Sequence, residues 1–251
     1  MRRIMIYLMV TFGFSWTLWG IDYLSQKDYI PEPFGLVGNL AILGPLVGFL
    51  FVNRNDGKNN VSEIKNLFKS KSRKWIYWFA LVSPFVLSFI GYILVVILNN
   101  EEFILGLSVQ MIVPVALIIL VVGGPIEEFG WRGILHPSIR KKYGVLLTTL
   151  IIGLIHGLWH IPLHFLEGTV QIEIPIIEFT MMTVLITFSY SFIYEYSSGF
   201  KPMLVLHWFA NLSSALFMYW TTSAGRYYFF GIVLVFDLVL YFGFLRRKTS
   251  T

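Results

Sequence analysis

The run VPVALIILVV (113–122) passes without a polar break into GGPIEEFGWRG (123–133). The first part is membrane-grade hydrocarbon. The second sets two adjacent carboxylates, Glu127 and Glu128, and the guanidinium of Arg132 directly against it. Ionisable groups within a bilayer cost about 2.5–3.5 kcal/mol each on insertion scales, so keeping them there signals a role beyond folding. Pro125 suits the first turn of a helix, and the helix dipole favours carboxylates in that turn. Glu128 and Arg132 are four apart, share a helical face and are expected to pair. Glu127 points about 100° away from Glu128 and is expected to be left for chemistry.

Composition carries the membrane reading outward. Of 251 residues, 56% are hydrophobic and 13% charged, against about 25% charged in a soluble domain. Runs of about 20 apolar residues fall at 4–24, 34–52, 75–98, 107–122 continuing past Gly124, 144–165, 174–194, 202–220 and 227–245. The expected fold is all-α: a polytopic membrane protein of about eight transmembrane helices, with 1–251 forming one membrane-embedded domain. The first run is too long for a signal-peptide core and lacks a small-residue cleavage site, so it is expected to be a retained span. A polar loop at 53–74 carries a short amphipathic stretch, 61–68, that suits a helix lying on the cytoplasmic leaflet.

Basic residues set the orientation. With eight alternating spans, Arg2, Arg3, Arg54, Lys58, Lys65, Lys69, Lys71, Arg73, Lys74, Arg132, Arg140, Lys141, Lys142, Lys201, Arg246, Arg247 and Lys248 gather on one side. Lys27 and Arg226 fall on the other, where the loops carry Asp28, Glu32, Glu101, Glu102, Glu167 and Glu173. The positive-inside rule places both termini in the cytoplasm, with the cell membrane as the expected location. The net charge of +5 is therefore a topology signal and gives no reason to expect a nucleic-acid partner. Cysteine is absent, which removes disulfides, thiolate metal sites and cysteine nucleophiles.

Two further polar clusters interrupt the apolar spans. In IHGLWHIPLHF (155–165), His156, His160 and His164 recur every four residues, and Pro162 should break the helix so that His164 leaves the stripe. The basic turn near Tyr143 and Gly144 lies midway between Glu127 and His160, so an antiparallel hairpin would bring those two level. In VLHWFAN (205–211), His207 and Asn211 present an imidazole and an amide on one face. Asp237 stands alone in the last span and reads as a packing or pairing residue, because an aspartyl site needs two facing aspartates. There is no H-E-x-x-H metal motif and no serine in a nucleophile context. The rival reading from residues alone is a non-catalytic membrane protein, such as an immunity factor, scaffold or transporter, whose polar groups tie helices together.

EEFGWR (127–132), HGLWH (156–160) and HWFAN (207–211) fit, in order, the E-E-x-x-x-R, F-x-x-x-H and H-x-x-x-N motifs of the CAAX-protease and bacteriocin-processing (CPBP, or Abi) family of intramembrane endopeptidases, which the chain resembles. The motifs span about a third of the chain, and His156 departs from the family pattern, which carries an aromatic residue there. The resemblance implies hydrolysis of a peptide bond in a membrane-associated substrate, either a prenylated C-terminus or a bacteriocin-like peptide. The residues supply a mechanism for it: Glu127 and His160 hold and deprotonate a water, His207 and Asn211 receive the oxyanion, and Glu128 and Arg132 fix the helix, with His156 in support. The expected chemistry is glutamate-type with no cofactor; the alternative is a zinc-bound water held by the glutamate and histidines.

Overall fold

A computed structural model describes residues 2–100, 102, 104–197 and 199–245. Glu101, Arg246, Arg247 and Lys248, used above for orientation, lie outside the described residues. Among those described, the ordered elements are all helical. The protein is an all-α, multi-pass membrane protein. Among the described residues, seven helical segments are long and apolar enough to cross a bilayer: Arg2–Gln26, Glu32–Asn55, Lys74–Asn99, Val109–Arg140, Val145–Phe165, Ile176–Ser197 and Ser223–Gly243. The eighth expected span is instead a helix of 17 residues, Lys201–Phe217, which ends where Met218 turns into the left-handed region at φ 41°.

The chain divides into two compact units, Met1–Lys69 with Ile126–Val184, and Ser70–Pro125 with Leu185–Thr251. In the first unit, α1 (Arg2–Gln26) packs on a 3-10 segment, Glu32–Leu43, and on α2 (Gly44–Asn55). The second apolar run is not one continuous α-helix because Pro45 has no N–H to give and would crowd the carbonyl of Ala41. That carbonyl instead accepts from the backbone N–H of Gly44 and, at 2.6 Å, from Ser15 Oγ of α1. α1 comes so close to α2 that a Cβ at Gly44 would meet Ser15 and one at Gly48 would meet Thr11 and Tyr7. The short α3 (Asn60–Lys69) occupies the amphipathic stretch of the basic loop. The core of this unit gathers Tyr7, Trp19, Phe49, Trp131, Ile152 and Trp159.

The second unit is built on α4 (Lys74–Asn99) and α5 (Val109–Val122), with the helices at its C-terminal side packed against them. Asp237 accepts from Ser189 Oγ at 2.9 Å, the pairing expected for a lone acid in an apolar span.

Candidate active site

α6 (Gly124–Gly130) begins immediately after Gly123 and carries both glutamates in seven residues. The helix then widens into one π-type turn, Trp131–Leu135, before α7 (His136–Arg140). Such wide turns are frequent at functional sites. The chain reverses at Lys141 and returns as α8 (Val145–Trp159), close to the turn expected from the sequence.

Glu128 and Arg132 are fully buried, and Arg132 Nη1 donates to Glu128 Oε1 at 3.2 Å. Glu127, 3% exposed, is held differently. Its Oε2 accepts from the indole Nε1 of Trp131 at 3.1 Å and lies 3.0 Å from His156 Nε2. Glu127 is thus engaged, where the sequence reading left it unoccupied. With the carboxylate ionised, its oxygen can only accept, and the His156 Nε2–H is then the donor.

His160 stands one residue past the end of α8, which stops there because Pro162 cannot donate to the helix ladder. Its Nδ1 is 3.0 Å from the carbonyl oxygen of His156. A carbonyl can only accept, so Nδ1 carries the proton and the neutral ring keeps its lone pair on Nε2. A 3-10 turn, Ile161–Phe165, follows and carries His164 off the stripe, where its Nδ1 donates to the carbonyl of Ile174 at 3.0 Å. Glu127, His156 and His160 each offer one ligand-type atom, all within 4.8 Å of one another.

Aromatic rings wall this cluster. The His156 ring lies 5.0 Å from Trp131 and 4.8 Å from His160, while His160 meets Trp159 at 4.6 Å and Phe179 at 5.3 Å. Charge–dipole interactions there are stronger than in water because few mobile dipoles compete. Glu127 and His156 are buried and His160 is half-buried. Trp131 and Trp159 were missed in the sequence reading. The signal for Trp131 was present: it stands four residues after Glu127, the same register that pairs Glu128 with Arg132.

The second unit places His207 and Asn211 on α10 (Lys201–Phe217), after α9 (Ile176–Ser197). His207 is buried, with its ring 5.0 Å from that of Tyr190. Trp208 Nε1 donates to the Ala116 carbonyl at 2.7 Å, tying α10 to α5. Both polar side chains press on one glycine: a Cβ at Gly124 would meet His207 Nε2 and, at 2.6 Å, Asn211 Nδ2. Gly124 is the first residue of the helix that carries Glu127. The structure therefore joins Glu127, His156 and His160 in one unit, and His207, Asn211 and Gly124 in the other.

Residues 109–213, which contain every one of these side chains, match the family model described as Type II CAAX prenyl endopeptidase Rce1-like. The matched region is less than half of the chain. CAAX prenyl protease 2 of Methanococcus maripaludis is similar to it, with 26% identity over 179 residues, 67% of this chain. The match covers 65% of that relative's length, just under two thirds. The glutamate–histidine cluster and the imidazole–amide pair both fall within the region of family similarity.

Proposed function

We propose that the protein is an intramembrane endopeptidase of glutamate type. The observation that carries this reading is the 3.0 Å approach of His156 Nε2 to Glu127 Oε2, with His160 completing the cluster inside an aromatic wall. Trp131 and His156 both donate to Glu127 and aim its carboxylate as a base. His160, with its lone pair on Nε2, accepts a hydrogen bond from the water and orients it. Glu127 takes a proton from that water as its oxygen bonds to the scissile carbonyl carbon. His207 and Asn211 donate hydrogen bonds to the resulting oxyanion. When the C–N bond breaks, the proton passes from Glu127 to the leaving amine. His156, which the sequence reading placed in support, thereby becomes the histidine that holds the base.

The same donor set fits zinc chemically. Two imidazoles and one carboxylate leave a position for water, and the bond from His160 Nδ1 to a carbonyl is of the kind that orients metal-bound imidazoles. Glu127, His156 and His160 would hold the ion, which when bound would acidify a water and polarise the carbonyl. We adopt the metal-free version because Glu127 Oε2 already stands at hydrogen-bond distance from both Trp131 Nε1 and His156 Nε2. Loss of activity on dialysis against a chelator, restored by zinc, would reverse that choice.

The proposed substrate is a peptide or protein segment reaching the membrane, with a prenylated C-terminus favoured by the relative's name and a bacteriocin-like peptide as the second arm of the assay. The proposed setting is the cell membrane with both termini cytoplasmic, following the basic-residue bias. Purified protein in detergent should cleave one of these peptides. His156→Ala and His160→Ala should each lower cleavage by about 10²–10⁴-fold, the range for a positioned acid–base group. Folded variants that cleave normally would remove the histidines from the mechanism. Cleavage of neither peptide class would favour the non-catalytic reading. Gly124→Ala tests the other pair: its added methyl collides with His207 and Asn211 and should lower kcat by about 10²-fold, as expected for a displacement on the ångström scale.

A further inference from the structure

One face of α1 carries three fully buried hydroxyl side chains, Tyr7, Thr11 and Ser15, each four residues from the next. Ser15 has an ordinary structural duty, donating to the Ala41 carbonyl. Tyr7 does not. The Thr11 hydroxyl lies beside its own, yet neither makes a hydrogen bond of good geometry among the described residues. Burying a hydroxyl that way opposes folding, and phenylalanine would fill the same space without the penalty. Packing alone gives no reason for the oxygen.

Its surroundings do. The Tyr7 hydroxyl sits in a notch that exists because residue 130 is glycine: a Cβ there would meet the hydroxyl and, at 2.5 Å, the carbonyl oxygen of Pro45. Gly130 immediately precedes Trp131, and the Tyr7 ring meets that indole edge-on, with centroids 5.9 Å apart and planes at 84°. The same indole donates to Glu127. All of these residues belong to the first unit.

We propose that Tyr7 is a positioning residue for Glu127: its ring and its hydroxyl, the latter seated over Gly130, together hold the Trp131 indole on the carboxylate. The assignment rests on Glu127 being the base, as proposed above. It extends the site to the first helix, which lies outside the region of family similarity.

The test uses the full-length protein in detergent and a peptide that the wild type cleaves. Tyr7→Phe should lower kcat about fivefold, the effect of losing one hydrogen-bond-sized interaction, with KM within about twofold and a Tm equal to or above wild type. Trp131→Phe should lower kcat by at least as much. The double variant should resemble Trp131→Phe alone, because the two residues act along one route. Wild-type kcat in Tyr7→Phe, a loss confined to KM, or losses that multiply in the double variant would each overturn the proposal. Glu127→Gln, run in parallel, separates the two failures. If it is inactive while Tyr7→Phe is normal, only the role of Tyr7 falls; if it remains active, the proposed function falls and this assignment with it.

Discussion

Glu127→Gln is expected to slow peptide cleavage by about 10³–10⁴-fold, near the top of the range for general acid–base groups. Glutamine is almost isosteric, and its carbonyl oxygen can still accept from the Trp131 indole and His156 that now hold Oε2. The protein should therefore remain folded, with a Tm close to wild type, while losing the group that removes a proton from water. Glu127→Ala should be equally inactive and less stable, since it leaves two buried N–H donors without their acceptor. Comparing initial rates at saturating peptide with thermal unfolding of the same preparations checks both statements. A folded Glu127→Gln protein with wild-type kcat would show that this carboxylate is not the base.

Arg132→Met is expected to be the most destabilising single replacement near the site, by about 3–5 kcal/mol. An i, i+4 ion pair on an exposed helix contributes only about 0.3–0.5 kcal/mol, so burial decides the size of the effect. Both side chains of the Glu128–Arg132 pair are 0% exposed. Removing the guanidinium leaves a carboxylate charge in an apolar interior, whereas removing both charges does not. Glu128→Leu combined with Arg132→Met should accordingly recover a large part of the lost stability, as measured by denaturation in detergent. A single variant as stable as wild type would mean that the pair is neither isolated from water nor needed to anchor the helix.

The sequence made the all-helical, many-span architecture legible because runs of apolar residues long enough to cross a bilayer have few alternatives. It also made the Glu128–Arg132 pair legible, since an i, i+4 relation survives any arrangement of neighbouring helices. The second span was harder to read. Hydropathy does not register that Pro45 denies the Ala41 carbonyl its helical partner, and so it does not separate the 3-10 segment from α2. The last third of the chain shows a similar gap: the apolar run 202–220 passes through Met218, where the backbone leaves the helix.

Which histidine reaches Glu127 depends on a smaller quantity. His156 and His160 differ by about 6 Å along a helix at 1.5 Å per residue. Locating the turn near residue 143 does not decide between them, because the wide turn at Trp131–Leu135 alters the register on the outgoing limb. Two contacts made by variable positions inside the motifs are likewise set by local geometry: Trp131 donates to Glu127, and the backbone carbonyl of Gly157 accepts from the His160 N–H at 3.2 Å as α8 closes. The sharing of Gly124 by His207 and Asn211 had no signature beyond a glycine in a glycine-rich stretch.

In the proposed reaction the peptide bond is cut where Glu127, His156 and His160 converge. A crystal structure of the protein with a non-hydrolysable peptide analogue measures this directly. The group replacing the scissile carbonyl, or the water poised to attack it, should lie within about 3.2 Å of a Glu127 oxygen and beside the His160 ring. An analogue bound with its scissile position elsewhere, out of reach of all three side chains, would contradict it.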